Sequence, residues 1–191
     1  MEDIETLKKY NNIYIEIISR YKGYIEEQEG LSVASLPKLV TPEDESVGLV
    51  ARGIKAKFPI YKPEDNFLSA ARQAQEYVRK NITVISLPFQ FWLKPAETIK
   101  YGAGDKFDIA VLLCSLLLAL GSSTAKTVIV SRESGSRFYI SFEWNGKFVL
   151  ADIEKDITQF NTMDELKAHL GIEGDDVSAY EFNDKLYNDI A

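Results

Sequence analysis

The chain has 191 residues, 46% hydrophobic and 27% charged, a mixture that folds and is too apolar for intrinsic disorder. Its 22 basic and 29 acidic side chains give a net charge of -7, which opposes nucleic-acid backbones and anionic membrane surfaces as partners. A single cysteine excludes an internal disulfide, and the longest apolar run falls short of the ~20 residues of a membrane span.

The opening MEDIETLKKY lacks the basic start and apolar stretch of a leader, so a soluble cytoplasmic protein is expected. Abundant Ile, Tyr, Lys and Glu beside one His and two Met lean toward a thermophilic source. From 3 to 27, Ile4, Leu7, Tyr14, Ile17, Ile18, Tyr21 and Ile25 recur at helical spacing. That spacing predicts an amphipathic helix whose apolar stripe needs a partner, on its own chain or on another. Residues 30–40, with Pro37, read as a connector. A second helix is expected from Thr41 as N-cap with Pro42 in the first helical position. Pro63 opens a third, in which Phe67, Ala70, Ala74, Tyr77 and Val78 share a face.

The stretch ITVISLPFQFWLK, containing Pro88, is expected to be loop or short edge structure. Phe89, Phe91 and Trp92 either line a groove or close a core edge there. A long apolar helix follows from near Asp105 to Leu120, stopped by Gly121. Then the period changes: TAKTVIVS, RFYISFEW and KFVLADI predict three antiparallel strands, the last two joined at Asn145-Gly146. TMDELKAHLG reads as a short helix ended by Gly171, and the acidic remainder as an extension. The organisation expected is a helical N-terminal extension over 1–62, a core over 63–160 and a C-terminal extension over 161–191. Helices followed by a meander of strands make the class α+β.

Within that order, ARQAQEYVRKNI, WLKPAETIKYGAGDKFDIAVLLCSLLLALG, AKTVIV and RFYISFEWNGKFVLAD together resemble the transglutaminase-like superfamily, over roughly residues 65–157. The most specific part is the ordered set Pro95-Ala96-Glu97-Thr98, Gly102, Gly104-Asp105, Asp108, Ala110 and Leu120-Gly121. The resemblance implies a papain-like core, a central helix packed on an antiparallel sheet, with the helical N-terminal region added to it. It also implies a Cys-His-Asp triad: cysteine at the head of the helix, histidine and aspartate on the following hairpin. A thiolate at that place gains from the unpaired N–H groups of the first helical turn and from an adjacent imidazolium.

Two of the three places are filled by other residues. Lys106 stands where the cysteine belongs, and Arg137 or Phe138 where the histidine belongs; neither can shuttle a proton near neutral pH. Asp152 remains. Cys114 lies eight residues further on, ~12 Å along the axis, and reads as a core residue rather than a displaced nucleophile. His169 reads as a helix C-terminal residue facing the negative end of the dipole.

The positive charge of Lys106 opposes the helix dipole unless an anion offsets it, and Asp105, Asp108 and Asp152 are the candidates. Lys106 is then part of a structural ion pair or a solvated lysine, or forms with Arg137 a cationic pocket for a carboxylate or phosphate, or is an amine nucleophile, which acidic neighbours oppose. No phosphate-binding loop and no metal-ligand cluster is present in the sequence, so neither cofactor nor metal is expected. The expectation is an inactive transglutaminase-like protein acting as a binding module, with Lys106, Arg137, Asp152 and Trp92 as binding residues. Its expected partner is another protein, with a small anion as second candidate and no membrane or nucleic acid. The competing expectation is an altered hydrolase or lyase that uses Lys106 and Asp152.

Overall fold

Residues 4–29, 35–86, 91–172 and 176–191 are described by the computed structural model. The expected N-terminal helix forms as α1 (Ile4–Glu29), and its apolar side chains are left in solvent: Ile4, Leu7, Tyr14, Ile17 and Tyr21 are all exposed. Part of the expected connector is a single helical turn, α2 (Leu36–Leu39), with Pro37 in its first turn. The second predicted helix begins later than expected. It is α3 (Glu45–Lys55), and its N-cap is Asp44, whose side chain accepts from the Ser46 N–H, rather than Thr41. The Thr41 N–H donates to Ser115 Oγ at 3.1 Å, and Pro42 and Glu43 form the turn that leads into the cap, the Asp44 N–H reaching back to the Thr41 carbonyl at 3.2 Å.

Pro63 opens α4 (Pro63–Asn81) as expected. The following stretch contributes the short strand β1 (Thr83–Val84), and Pro88 and Phe89 lie outside the described residues. A helix not anticipated, α5 (Pro95–Tyr101), ends at Gly102 and is followed by β2 (Ala103–Gly104), parallel to β1. The central helix is α6 (Lys106–Ala119). Beyond it, the N–H of Ser122 reaches back to the Leu117 carbonyl at 3.1 Å. Gly121 supplies the positive φ this return needs, 109°.

Strands β3 (Lys126–Arg132), β4 (Gly135–Trp144) and β5 (Lys147–Asp152) form the expected antiparallel meander. The Asn145-Gly146 turn takes positive φ at both residues, 51° and 72°, as a tight right-twisting hairpin requires. The sheet is wider than anticipated. β6 (Thr158–Phe160) adds to β5, and after α7 (Met163–Leu170) the acidic C-terminal segment returns as β7 (Ser178–Phe182) and β8 (Tyr187–Asp189). The order is β6-β5-β4-β3-β7-β8, with every neighbouring pair antiparallel.

Strand alternation divides the molecule into layers. Ile129, Ile140, Phe142, Val149 and Ala151 face α6, which is buried on all sides and is itself packed by α3, α4 and α5. The alternate set, Val128, Val130, Tyr139 and Leu150, faces Leu166 and Leu170 of α7 on the other side. The architecture is α+β, a central helix on an antiparallel sheet. No helix among the described residues is long and apolar enough to cross a membrane.

Candidate functional site at the head of the central helix

The first turn of α6 is fixed by two carboxylates that exchange hydrogen bonds. Asp105 accepts from the Asp108 N–H at 2.8 Å, and Asp108 accepts from the Asp105 N–H at 2.9 Å. The second oxygen of Asp108 accepts from the Leu93 N–H at 2.9 Å, which binds the segment before α5 to the head of α6. Glycine is needed beside this pair, because a Cβ on Gly104 would stand 3.0 Å from that of Asp108. Asp108 is fully buried. Burial, reinforced by the charge of Asp105, pushes its carboxyl up to about 7 against the pull of the two N–H donors.

Lys106, the first residue of α6, extends toward the segment that follows β5. Its Nζ lies 2.7 Å from Oε1 of Glu154, both side chains remaining about half exposed. The counter-anion is therefore Glu154 rather than any of the three aspartates considered from the sequence. The hydrogen bond and charge of Lys106 hold the Glu154 carboxyl below its usual value. Asp152 acts on the backbone instead. Its Oδ1 accepts from the Glu154 N–H at 2.8 Å, shaping the turn that presents Glu154.

Helix α4 holds this turn from behind. The buried amide of Gln75 donates to the carbonyls of Asp152 at 2.6 Å and Lys155 at 2.9 Å. Arg79 donates to the carbonyls of Ile153 and Lys155. The result is a cleft of about 330 Å³ whose lining includes Lys106, Arg137, Phe138, Asp152, Glu154 and Lys155. Three of the four expected binding residues thus share one cleft. Trp92 is outside its lining, with its ring centroid 5.1 Å from that of Phe107. Of the two residues considered for the histidine place, Phe138 is on the face toward α6, its ring edge-on to Phe107 at 5.9 Å, whereas Arg137 is exposed at the rim.

The groups that could restore acyl-transfer chemistry lie elsewhere. Cys114 is fully buried, as expected, and burial pushes its thiol up to about 12. His169 is in the last turn of α7, its ring 5.0 Å from that of Phe160, and α7 covers the opposite face of the sheet. The terminal carbonyls of that helix, Leu170 and Gly171, are taken by Arg132 at 2.8 Å each. Among the described residues no group of three or more His, Cys, Asp or Glu is placed to hold a metal.

No protein-family model and no curated protein sequence matches the chain. In three dimensions it is similar to LapG of Legionella pneumophila, with a TM-score of 0.53 and 16% identity over 84% of this chain and 88% of that one. LapG treated with EGTA gives 0.52, at 16% identity over 84% and 87%. A candidate protease from Parabacteroides distasonis gives 0.52 at 13% identity, over 78% of this chain and 29% of that longer one. The fold is papain-like. At such identities the likeness is one of fold, and the chemistry of the papain-like core must be read from the side chains present.

Glu154 was the main residue missed from the sequence. It lies 48 positions from Lys106 and just past a strand end, where no periodicity applies; its only signal is an acid two residues beyond Asp152. Gln75 and Arg79 read in sequence as ordinary polar positions of an amphipathic helix, and only the return of β5 beside α4 gives them partners.

Proposed function

We propose that this protein is a transglutaminase-like scaffold that works by binding rather than by acyl transfer, through the cleft at the head of α6. One observation carries the reading: where the resemblance places a nucleophilic thiol, an amine is held 2.7 Å from a carboxylate. Acyl transfer needs a polarisable nucleophile and a base within hydrogen-bond reach of it. The one thiol and the one imidazole of this chain are respectively inside the core and on the other side of the sheet. An amine that attacks a carbonyl must be desolvated and unpaired, and Lys106 is half exposed and paired, which counts against the altered-enzyme reading with Asp152.

The cleft suits an acidic segment of a partner protein. Lys106, Arg137 and Lys155 outnumber Asp152 and Glu154 in its lining, and an incoming carboxylate would take the place of Glu154 on Lys106 while Arg137 offers a second, fork-shaped donor. Capture from native lysate tests this, with the Lys106→Glu/Arg137→Glu variant alongside. The wild type should retain a partner that the variant loses. Equal recovery by the two forms would remove the cleft as the recognition surface.

A further inference from the structure

Most of the apolar residues of α1, Ile13 aside, fall along a heptad seam or beside it. Ile4, Leu7, Asn11, Tyr14, Ile18, Tyr21 and Ile25 are separated alternately by three and four residues, the 3.5-residue period of a coiled-coil seam. In that frame Ile4, Asn11, Ile18 and Ile25 hold the first seam position and Leu7, Tyr14 and Tyr21 the second, with Tyr10, Ile17 and Tyr24 flanking. Isoleucine at every first position save one, with a single asparagine among them, is the first-position half of the two-stranded pattern, and the buried asparagine is what fixes register; the second positions carry Leu7 and two tyrosines.

Among the described residues most of this surface stands open, Ile18 and Ile25 being half-buried. Ile4, Leu7, Tyr10, Tyr14, Ile17, Tyr21 and Tyr24 are between 47% and 74% exposed. Together they present on the order of 900 Å², against about 800 Å² per partner in a standard interface. That exceeds the few hundred Å² that soluble monomers leave open.

We infer that α1 pairs with α1 of a second copy of this chain, as a parallel two-stranded coiled coil whose register is set by Asn11 against Asn11. Polarity chooses the direction. In an antiparallel pair Asn11 would oppose a tyrosine ring, Tyr14 or Tyr21, and its amide would have no like partner. In the parallel pair each Lys22 flanks Ile17, each Ile15 flanks Tyr10, and the two Asn11 amides satisfy one another. The pairing is independent of the cleft and would bring two clefts into one particle.

Sedimentation equilibrium of the full chain at micromolar concentration tests the inference. The expected mass is twice the 21.6 kDa of one chain, falling to that of one chain in Tyr14→Lys/Tyr21→Lys with the near-ultraviolet circular dichroism of the core unchanged. On mild oxidation Asn11→Cys should give a covalent pair, and Glu16→Cys, on the outer face of the helix, should not. A mass of one or three copies for the wild type, a pair that survives the double substitution, or equal crosslinking at 11 and 16 would overturn it.

Discussion

Asp108 shows how the head of α6 is bound to the rest of the molecule at the cost of burying an acid. Its carboxyl, pushed up to about 7 in the folded chain, has a value of ~3.9 when unfolded. The folded state therefore keeps a proton that the unfolded chain sheds, so the contribution of Asp108 to stability declines as the pH rises from about 4 to about 7 and is level above that. Glu154 has the opposite sign: its folded value is lowered, so its contribution is present above its unfolded value and is lost as the pH falls through the folded one. For that reason the effect of Asp108 is read as a difference between two proteins. Asp108→Asn sets an amide N–H₂ against one of the two backbone donors, and we expect a loss of about 1–3 kcal/mol in urea unfolding. We also expect its stability to fall less steeply than that of the wild type between pH 4 and pH 7. Parallel profiles would show that Asp108 does not titrate there.

At the scale of elements, the turn after β5 is held where it can meet Lys106 by a helix some 80 positions earlier, Gln75 of α4 reaching Lys155. Gln75→Ala takes the side-chain donor from the Asp152 carbonyl and leaves Lys155 to Arg79 alone, and should cost about 1–3 kcal/mol. Amide exchange at Glu154 and Lys155 should quicken, while exchange in α6 is unchanged; unaltered exchange in the turn would mean that Arg79 suffices. This contact also marks where the sequence stops being legible. The start of α6 at Asp105, its stop at Gly121 and the Asn145-Gly146 hairpin are local events, written in caps and turn residues. Asp44 rather than Thr41 caps α3, and the partner that holds the Thr41 backbone is Ser115, 74 positions away. Strands β7 and β8 lie in an acidic segment with only scattered apolar residues. β7 forms because β3 offers Val128, Ile129 and Val130 as a pairing edge, with Ala179 and Phe182 buried there, and β8 pairs in turn on β7. That Asp152 and Arg137 or Phe138 lie near Lys106 is legible because the hairpin register counts from its turn, whereas Glu154, beyond the strand end, has no register to be counted in.

For the molecule as a whole, a net charge of -7 surrounds a cleft in which cations outnumber acids. Such a cleft can select a short acidic segment at close range even though long-range attraction is absent. In this proposal the papain-like scaffold supplies a rigid frame, with the helix head, the hairpin and α4 converging on one surface that recognises instead of reacting. The most direct test is a turnover assay on the purified 191-residue chain, with peptide amide and isopeptide substrates and a primary-amine acceptor, run for the wild type and for Lys106→Ala and Asp152→Ala. A protein that only binds gives no turnover above the protein-free blank in any of the three forms. Hydrolysis or amine incorporation by the wild type that either substitution abolishes would contradict the binding role.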